Sequence, residues 1–297
     1  MAEMTTRNDA APGNAAVADD PTAPAAAESG GGVGLLQSKT LMVVGWPLLF
    51  GAALLGVWYA AIAIFNIPEY QLPPLHRIVE AGIEERSVLL SGAVQTTIAC
   101  LIGFFTSVVG GIALSVLLAS SQWAFRGIYP YILLLKMTPI IVIAPIIILW
   151  AGQGLTSITT ITFLICFFPI VANTTMGLRS TDANLLDLFQ VYKASRWQQM
   201  FWLRVPGALP YFMTGLKIAA ALTPIGALYG DTVAGMGSSS EAGLGFVVMI
   251  FSAQFKVPAL FASAFVACAI GFLFVGLVNL LAWRTLHRWH DSYLLDD

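Results

Sequence analysis

Charge is the scarcest commodity in this sequence. Only 10% of its 297 residues are Asp, Glu, Lys or Arg, against about 25% in an ordinary soluble domain. The 14 basic and 16 acidic side chains leave a net charge of −2, so the basic surplus that nucleic-acid binding needs is missing. There are three histidines, His76, His287 and His290, with no spacing suited to a metal, and they read as loop and tail residues. The three cysteines, Cys100, Cys166 and Cys268, lie in separate apolar runs. They read as small buried packing residues, with no disulfide and no metal site. The glycines at 30–32 and 34 before Ser38-Lys39-Thr40 do not make a phosphate loop, because the residue before the lysine must be glycine and a strand must precede it. No other nucleotide motif is present, so no cofactor is expected on this chain. Nor is there a nucleophile, acid pair or metal cluster of the kind a membrane enzyme needs.

What the chain has is apolar length. Hydrophobic residues make up 58%, and the mean hydropathy is +0.80. Residues 1–38, rich in Ala, Gly, Pro and acids, cannot bury enough surface to offset chain entropy and read as a disordered cytoplasmic tail. They show no signal-peptide pattern, and the chain does not begin Met-Gly, so neither a cleaved leader nor myristoylation is expected. Residues 41–65 carry no charge and are long enough to cross about 30 Å of hydrocarbon. With the loop that follows, an amphipathic piece at 78–90 included, they form a first unit over 39–92. A transmembrane domain over 93–284 then holds spans at 93–119, 127–151, 155–178, 207–230 and 257–283, and 285–297 is a cytoplasmic tail. The second span has Ser107 and Gly111, the fifth Gly215, Ala219 and Thr223, and the sixth Ser263, Ala267 and Gly271, all at the small-xxx-small spacing of close helix contact. Residues 242–255 are apolar but too short to cross. Asn173 and Thr174 read as helix–helix hydrogen-bonding groups, and Pro139, Pro145, Pro169 and Pro224 as kinks. The fold class is therefore all-α integral membrane with six transmembrane helices. With both termini inside, nine Lys and Arg fall on the cytoplasmic side against three opposite, the positive-inside arrangement.

One polar and aromatic island, residues 179–210, interrupts the spans. Leu185, Leu188, Phe189 and Tyr192 recur at i, i+3, i+4 and i+7 and line one face of a short helix, capped by Thr181 or Asp182. Lys193-Ala194 breaks the pattern. Ser195-Arg196-Trp197-Gln198 has the form of a capping box opening a second helix, which Pro206 and Pro210 are expected to close. This predicts a cytoplasmic helix–break–helix hairpin between spans 4 and 5.

The hairpin resembles the EAA loop of permease subunits of bacterial ABC importers. The family pattern is Glu-Ala-Ala, three residues, Gly, nine residues, Ile-x-Leu-Pro. Here Asp187-Leu188-Phe189, Lys193 and Leu203-Arg204-Val205-Pro206 occupy those positions, so the acid is shorter, the alanines are bulky and the glycine is lysine. Residues 167–174, 194–198 and 207–218 are similar to the nitrate/sulfonate/taurine/pyrimidine-precursor branch, and the resemblance runs from about Pro73 to Trp283. It implies a permease forming the path of a small solute of that kind across the bacterial inner membrane. It also implies partners: a cytoplasmic ATPase dimer that carries the ATP, a second or sister permease, and an extracytoplasmic solute-binding protein. The alternative is a secondary carrier or channel acting without an ATPase. ATPase-coupling residues are then Asp187, Leu188, Phe189, Tyr192, Lys193, Ala194, Ser195, Arg196 and Trp197. Lys136 and Lys217, charged inside spans, and Asp231, at the outer end of the fifth, are candidates for the substrate path.

Overall fold

The structure, a computed structural model, describes residues 32–235 and 242–286. His287 and His290, the C-terminal tail beyond 286 and tail residues 1–31 lie outside these. The chain divides into two compact units, Met1–Ala60 and Ala61–Asp297. In the first, helix α1 (Gly32–Phe65) already begins inside the expected tail. Its apolar stretch Gly45–Phe65 is 21 residues long, enough to cross a membrane.

Among its described residues the second unit consists of helices joined by short turns and loops, with no strand. The amphipathic piece expected at 78–90 is divided: its first part lies in α2 (Leu75–Glu84), whose Ile78 is buried, and residues 86–90 open the next helix; α2 packs on α11 (Val257–Leu286). Helix α3 (Arg86–Ser120) starts seven residues before the expected span and ends at Ser120. The third span is not one helix. Helix α4 (Gln122–Met137) and α5 (Ile140–Ala151) meet at 101°, because Pro139 cannot donate the hydrogen bond that would carry the helix across. The Thr138 hydroxyl covers one freed carbonyl, donating to Leu134 O at 3.1 Å. Among the described residues there are thus five helices long and apolar enough to cross a membrane, or six if this bent pair counts as one span.

Helix α6 (Leu155–Arg179) is the centre of the unit, packed along α3 on one side and α9 (Val205–Ala234) on the other. Small residues set those contacts. A side chain at Gly103 would meet Thr162 Cβ at 2.6 Å, one at Gly111 would meet Ile170 Cγ2 at 2.7 Å, and one at Gly177 would meet Tyr211 Cβ at 2.6 Å. Hydroxyls then reach across the seams: Ser107 donates to Phe163 O at 2.9 Å and Ser115 to Val171 O at 3.3 Å, while Cys166 Sγ lies 3.1 Å from Thr223 Oγ1. Ser107, Gly111, Gly215, Ala219, Thr223, Ser263 and Ala267 are all buried, as their spacing predicts, whereas Gly271 is only half-buried.

Three expectations fail here. Asn173 donates to Pro169 O of its own helix at 2.8 Å, and the buried Thr174 hydroxyl has no partner among the described residues, so neither bridges helices. Cys100 and Cys166 are buried but Cys268 is exposed, since it lines an open groove with Pro224 and Leu228 of α9. Pro206 and Pro210 do not end a helix. Between α8 (Arg196–Gln199) and α9, residues Met200–Arg204 form a π turn in which Val205 N–H donates to Met200 O, five residues back. That wider turn leaves Pro206 at the start of α9, where its missing N–H costs little, and the helix runs on through Pro210.

Candidate functional site

The island between the fourth and fifth spans folds as a hairpin. Helix α7 (Ala183–Val191) is capped by Asp182, whose carboxylate accepts from Asn184 N–H at 2.9 Å. At its other end the chain reverses through Lys193, at φ +52°. Lys193 N–H donates to Gln190 O at 2.8 Å and Ala194 N–H to Phe189 O at 2.9 Å. This bond pair is a Schellman ending, and its left-handed residue is normally glycine. Lysine therefore keeps the glycine's geometry instead of building a different turn. Ser195 opens α8 with a reciprocal capping box: Gln198 N–H donates to Ser195 Oγ at 3.3 Å, and Ser195 N–H to Gln198 Oε1 at 2.7 Å.

No residue of α7 is buried. Leu188, Phe189, Tyr192 and Ala194 line an open groove of about 450 Å³ with Gln198 and Trp202. Tyr192 is 79% exposed and Trp202 78%, a large apolar outlay to leave in water unless something covers it. Gln198 and Trp202 escape the sequence reading because their membership depends on how α8 and the π turn swing back over α7; their i, i+4 spacing was the one available signal. Arg196 and Trp197 do not line this groove. They line a second cleft of about 360 Å³ with Arg204, Gln199 and the end of α3. Asp187 and Lys193 are exposed on the hairpin, and neither lines the groove.

Two arginines fix the hairpin to the spans. Arg204 donates to Ala119 O at 3.3 Å, and Arg179 to Leu118 O at 3.4 Å and Gln122 Oε1 at 2.7 Å. Both thus satisfy carbonyls that the end of α3 leaves open. Arg179 also sits 3.8 Å above the Phe125 ring.

The three candidates for the path do not converge. Lys136 is exposed in the last turn of α4, beside the break at Pro139. Lys217 and Asp231 share α9 but are 14 positions apart, about 21 Å along a helix axis, too far to touch one small solute. Asp231 is only 2% exposed and is occupied as a brace. It accepts from Gly243 N–H at 3.1 Å and Phe246 N–H at 2.8 Å, while Thr96 Oγ1 accepts from Leu244 N–H at 2.8 Å. Together they satisfy the first N–H groups of α10 (Leu244–Ala253), the short apolar stretch judged unable to cross. Gly154 N–H donates to Ala234 O at 2.7 Å, so the turn into α6 is tied to the same corner. Among the described residues, no group of His, Cys, Asp and Glu is placed to hold a metal.

The long apolar helices define a helical multi-pass membrane protein, and the comparisons say of which family. A family model, the binding-protein-dependent transport system inner membrane component, matches residues 111–287. A formylaminopyrimidine transport permease protein from Halalkalibacterium halodurans is 34% identical over 244 residues, covering 80% of this chain and 95% of that protein. A riboflavin transport system permease protein from Chloroflexus aurantiacus is 31% identical, covering 80% and 88%. A taurine transport system permease protein from Escherichia coli is 28% identical, covering 81% and 88%. Among solved structures, an amino acid ABC transporter crystallised with histidines aligns over 68% of this chain and 96% of its own, with a TM-score of 0.53 at 15% identity; that likeness concerns the fold alone. The chain belongs to the binding-protein-dependent transport family and is a permease of an ABC importer.

Proposed function

We propose that the α7–α8 hairpin is the seat of a cytoplasmic ABC ATPase, and that the permease works as a pair, with itself or a sister chain, served by an extracytoplasmic solute-binding protein. The observation that carries this is the groove of Leu188, Phe189, Tyr192, Ala194, Gln198 and Trp202, apolar and uncovered at one end of the spans. Closure of two ATPases has to reach the membrane through something stiff. The capping box and Schellman ending hold the hairpin rigid, and the π turn joins it directly to α9. The excess of Lys and Arg at this end supports a cytoplasmic position, with both termini on that side of the bacterial inner membrane. The test is co-purification of the ATPase with tagged permease in mild detergent. Phe189→Ala and Tyr192→Ala should each weaken the association by about tenfold or more, the scale of an interface anchor, while leaving the permease's own melting temperature unchanged. Normal association in both variants would sink the reading.

The solute is proposed to be a nitrogen heterocycle of the pyrimidine kind. Two relatives above 30% identity are named for formylaminopyrimidine and riboflavin, both of which contain a pyrimidine ring. The sulfonate, taurine and nitrate permeases fall to 27%, 28% and 28%. Lys136, charged and exposed at the broken third span, is proposed to meet that solute, since a charge inside a membrane segment is a functional-site candidate by default. Cells lacking the chain should lose uptake of a labelled aminopyrimidine and keep that of labelled taurine; the reverse result would move the assignment to oxyanions.

A further inference from the structure

We propose that the second cleft, between the end of α3 and the α8–π-turn segment, binds the phosphodiester headgroup of an anionic phospholipid. The cleft has a volume of about 360 Å³ and is lined by Ala119, Ser120, Arg196, Trp197, Arg204 and neighbours, with no Asp or Glu among them. Arg204 gives an N–H to Ala119 O, leaving most of its five donors. The Arg196 side chain is exposed and makes no hydrogen bond or ion pair among the described residues. The ion pairs that are described, Arg77 with Glu69 and Glu80, and Lys256 with Glu85, involve other segments of the chain. Two guanidiniums on one wall suit a phosphate, because each offers a planar fork that a lysine lacks. Arg179, by contrast, is already spent on Leu118, Gln122 and Phe125.

Position selects the lipid as the source of that phosphate. The cleft opens where the apolar length of α3 stops and the polar hairpin starts, which is headgroup level. Trp197, stacked on Phe201 at 5.8 Å and 13°, stands at its edge, and tryptophan gathers at that depth. Basic clefts between spans at a cytoplasmic surface are the sites that hold acidic headgroups. The same short segment thus turns Gln198 and Trp202 toward the apolar groove, and Arg196 and Arg204 the other way. The inference depends on this end of the spans meeting the membrane surface but not on the ATPase docking, and its test involves no ATPase.

The full-length permease in detergent would be titrated with dioleoylphosphatidylglycerol or dioleoylphosphatidylcholine, and bound lipid counted by native mass spectrometry. Phosphatidylglycerol should be retained over phosphatidylcholine. Arg196→Gln should cut that retention about tenfold, as expected for losing charge-assisted hydrogen bonds, and Arg126→Gln, an exposed cation outside the cleft, should not. Arg204→Gln also removes the tie to Ala119, so Arg196→Gln is the deciding variant. Unchanged retention in Arg196→Gln, or equal loss in Arg126→Gln, would overturn the site. Displacement of the lipid by millimolar inorganic phosphate would overturn the lipid assignment in favour of a free-anion site.

Discussion

Lys193 shows how far one side chain can be forced. Its φ of +52° is repeated among the described non-glycine residues only by Asn66 and Phe255. Holding a lysine there costs about 1–2 kcal/mol, yet the two hydrogen bonds of the ending require it. Glycine would remove that strain but lose more chain entropy on folding, about 0.5–1 kcal/mol. Lys193→Gly should therefore stabilise the purified permease by about 0.5–1 kcal/mol, seen as a higher melting temperature. A lower one would show that the lysine side chain itself holds the hairpin. The sequence motif located this residue; only backbone geometry shows which turn it makes. Asp231 teaches the opposite lesson. A carboxylate at the end of an apolar run reads as functional, but its partners, the N–H groups of Gly243 and Phe246, are 12 and 15 residues further on. No local pattern announces such a bond.

Among the elements, the seams that α3 and α9 make with α6 were the most legible. They follow from small residues repeating every four positions on α3 and α9, a signal that belongs to one helix and needs no knowledge of its neighbour. The same logic gives a paired prediction. Gly177→Ala would place a carbon 2.6 Å from Tyr211 Cβ, an atom fixed to the α9 backbone, and should cost about 1–3 kcal/mol of stability. Gly127→Ala in α4 meets nothing within 4 Å and should be neutral or stabilising, by up to about 1 kcal/mol. Thermal unfolding of both variants checks this, and equal effects would refute the seam. The bent third span and the π turn were less legible. Proline at 139 and at 206 is the same letter with opposite outcomes. Pro139 parts two helices by 101°, whereas Pro206 follows a π turn that absorbs it. What differs is the preceding turn, and hydropathy is blind to it.

At the scale of the molecule, the apolar lengths gave the membrane class and the hairpin gave the family. The groove and the basic cleft needed three dimensions, because the first joins residues from both sides of the break at Lys193 and the second joins the end of α3 to α8 and the π turn. The tight seams have one more consequence, for movement. Helices whose backbones nearly touch at Gly103, Gly111, Gly177 and Gly215 have no slack in which to slide, so α3, α6 and α9 must travel as a single block. Since the π turn continues straight into α9, a push on the hairpin is delivered to that whole block. Spin labels placed in pairs on α3 and α9 should then keep their spacing through a transport cycle, while a label on α5 shifts against both. The permease would behave less like a flexing bundle than like a lever with the α7–α8 hairpin as its handle.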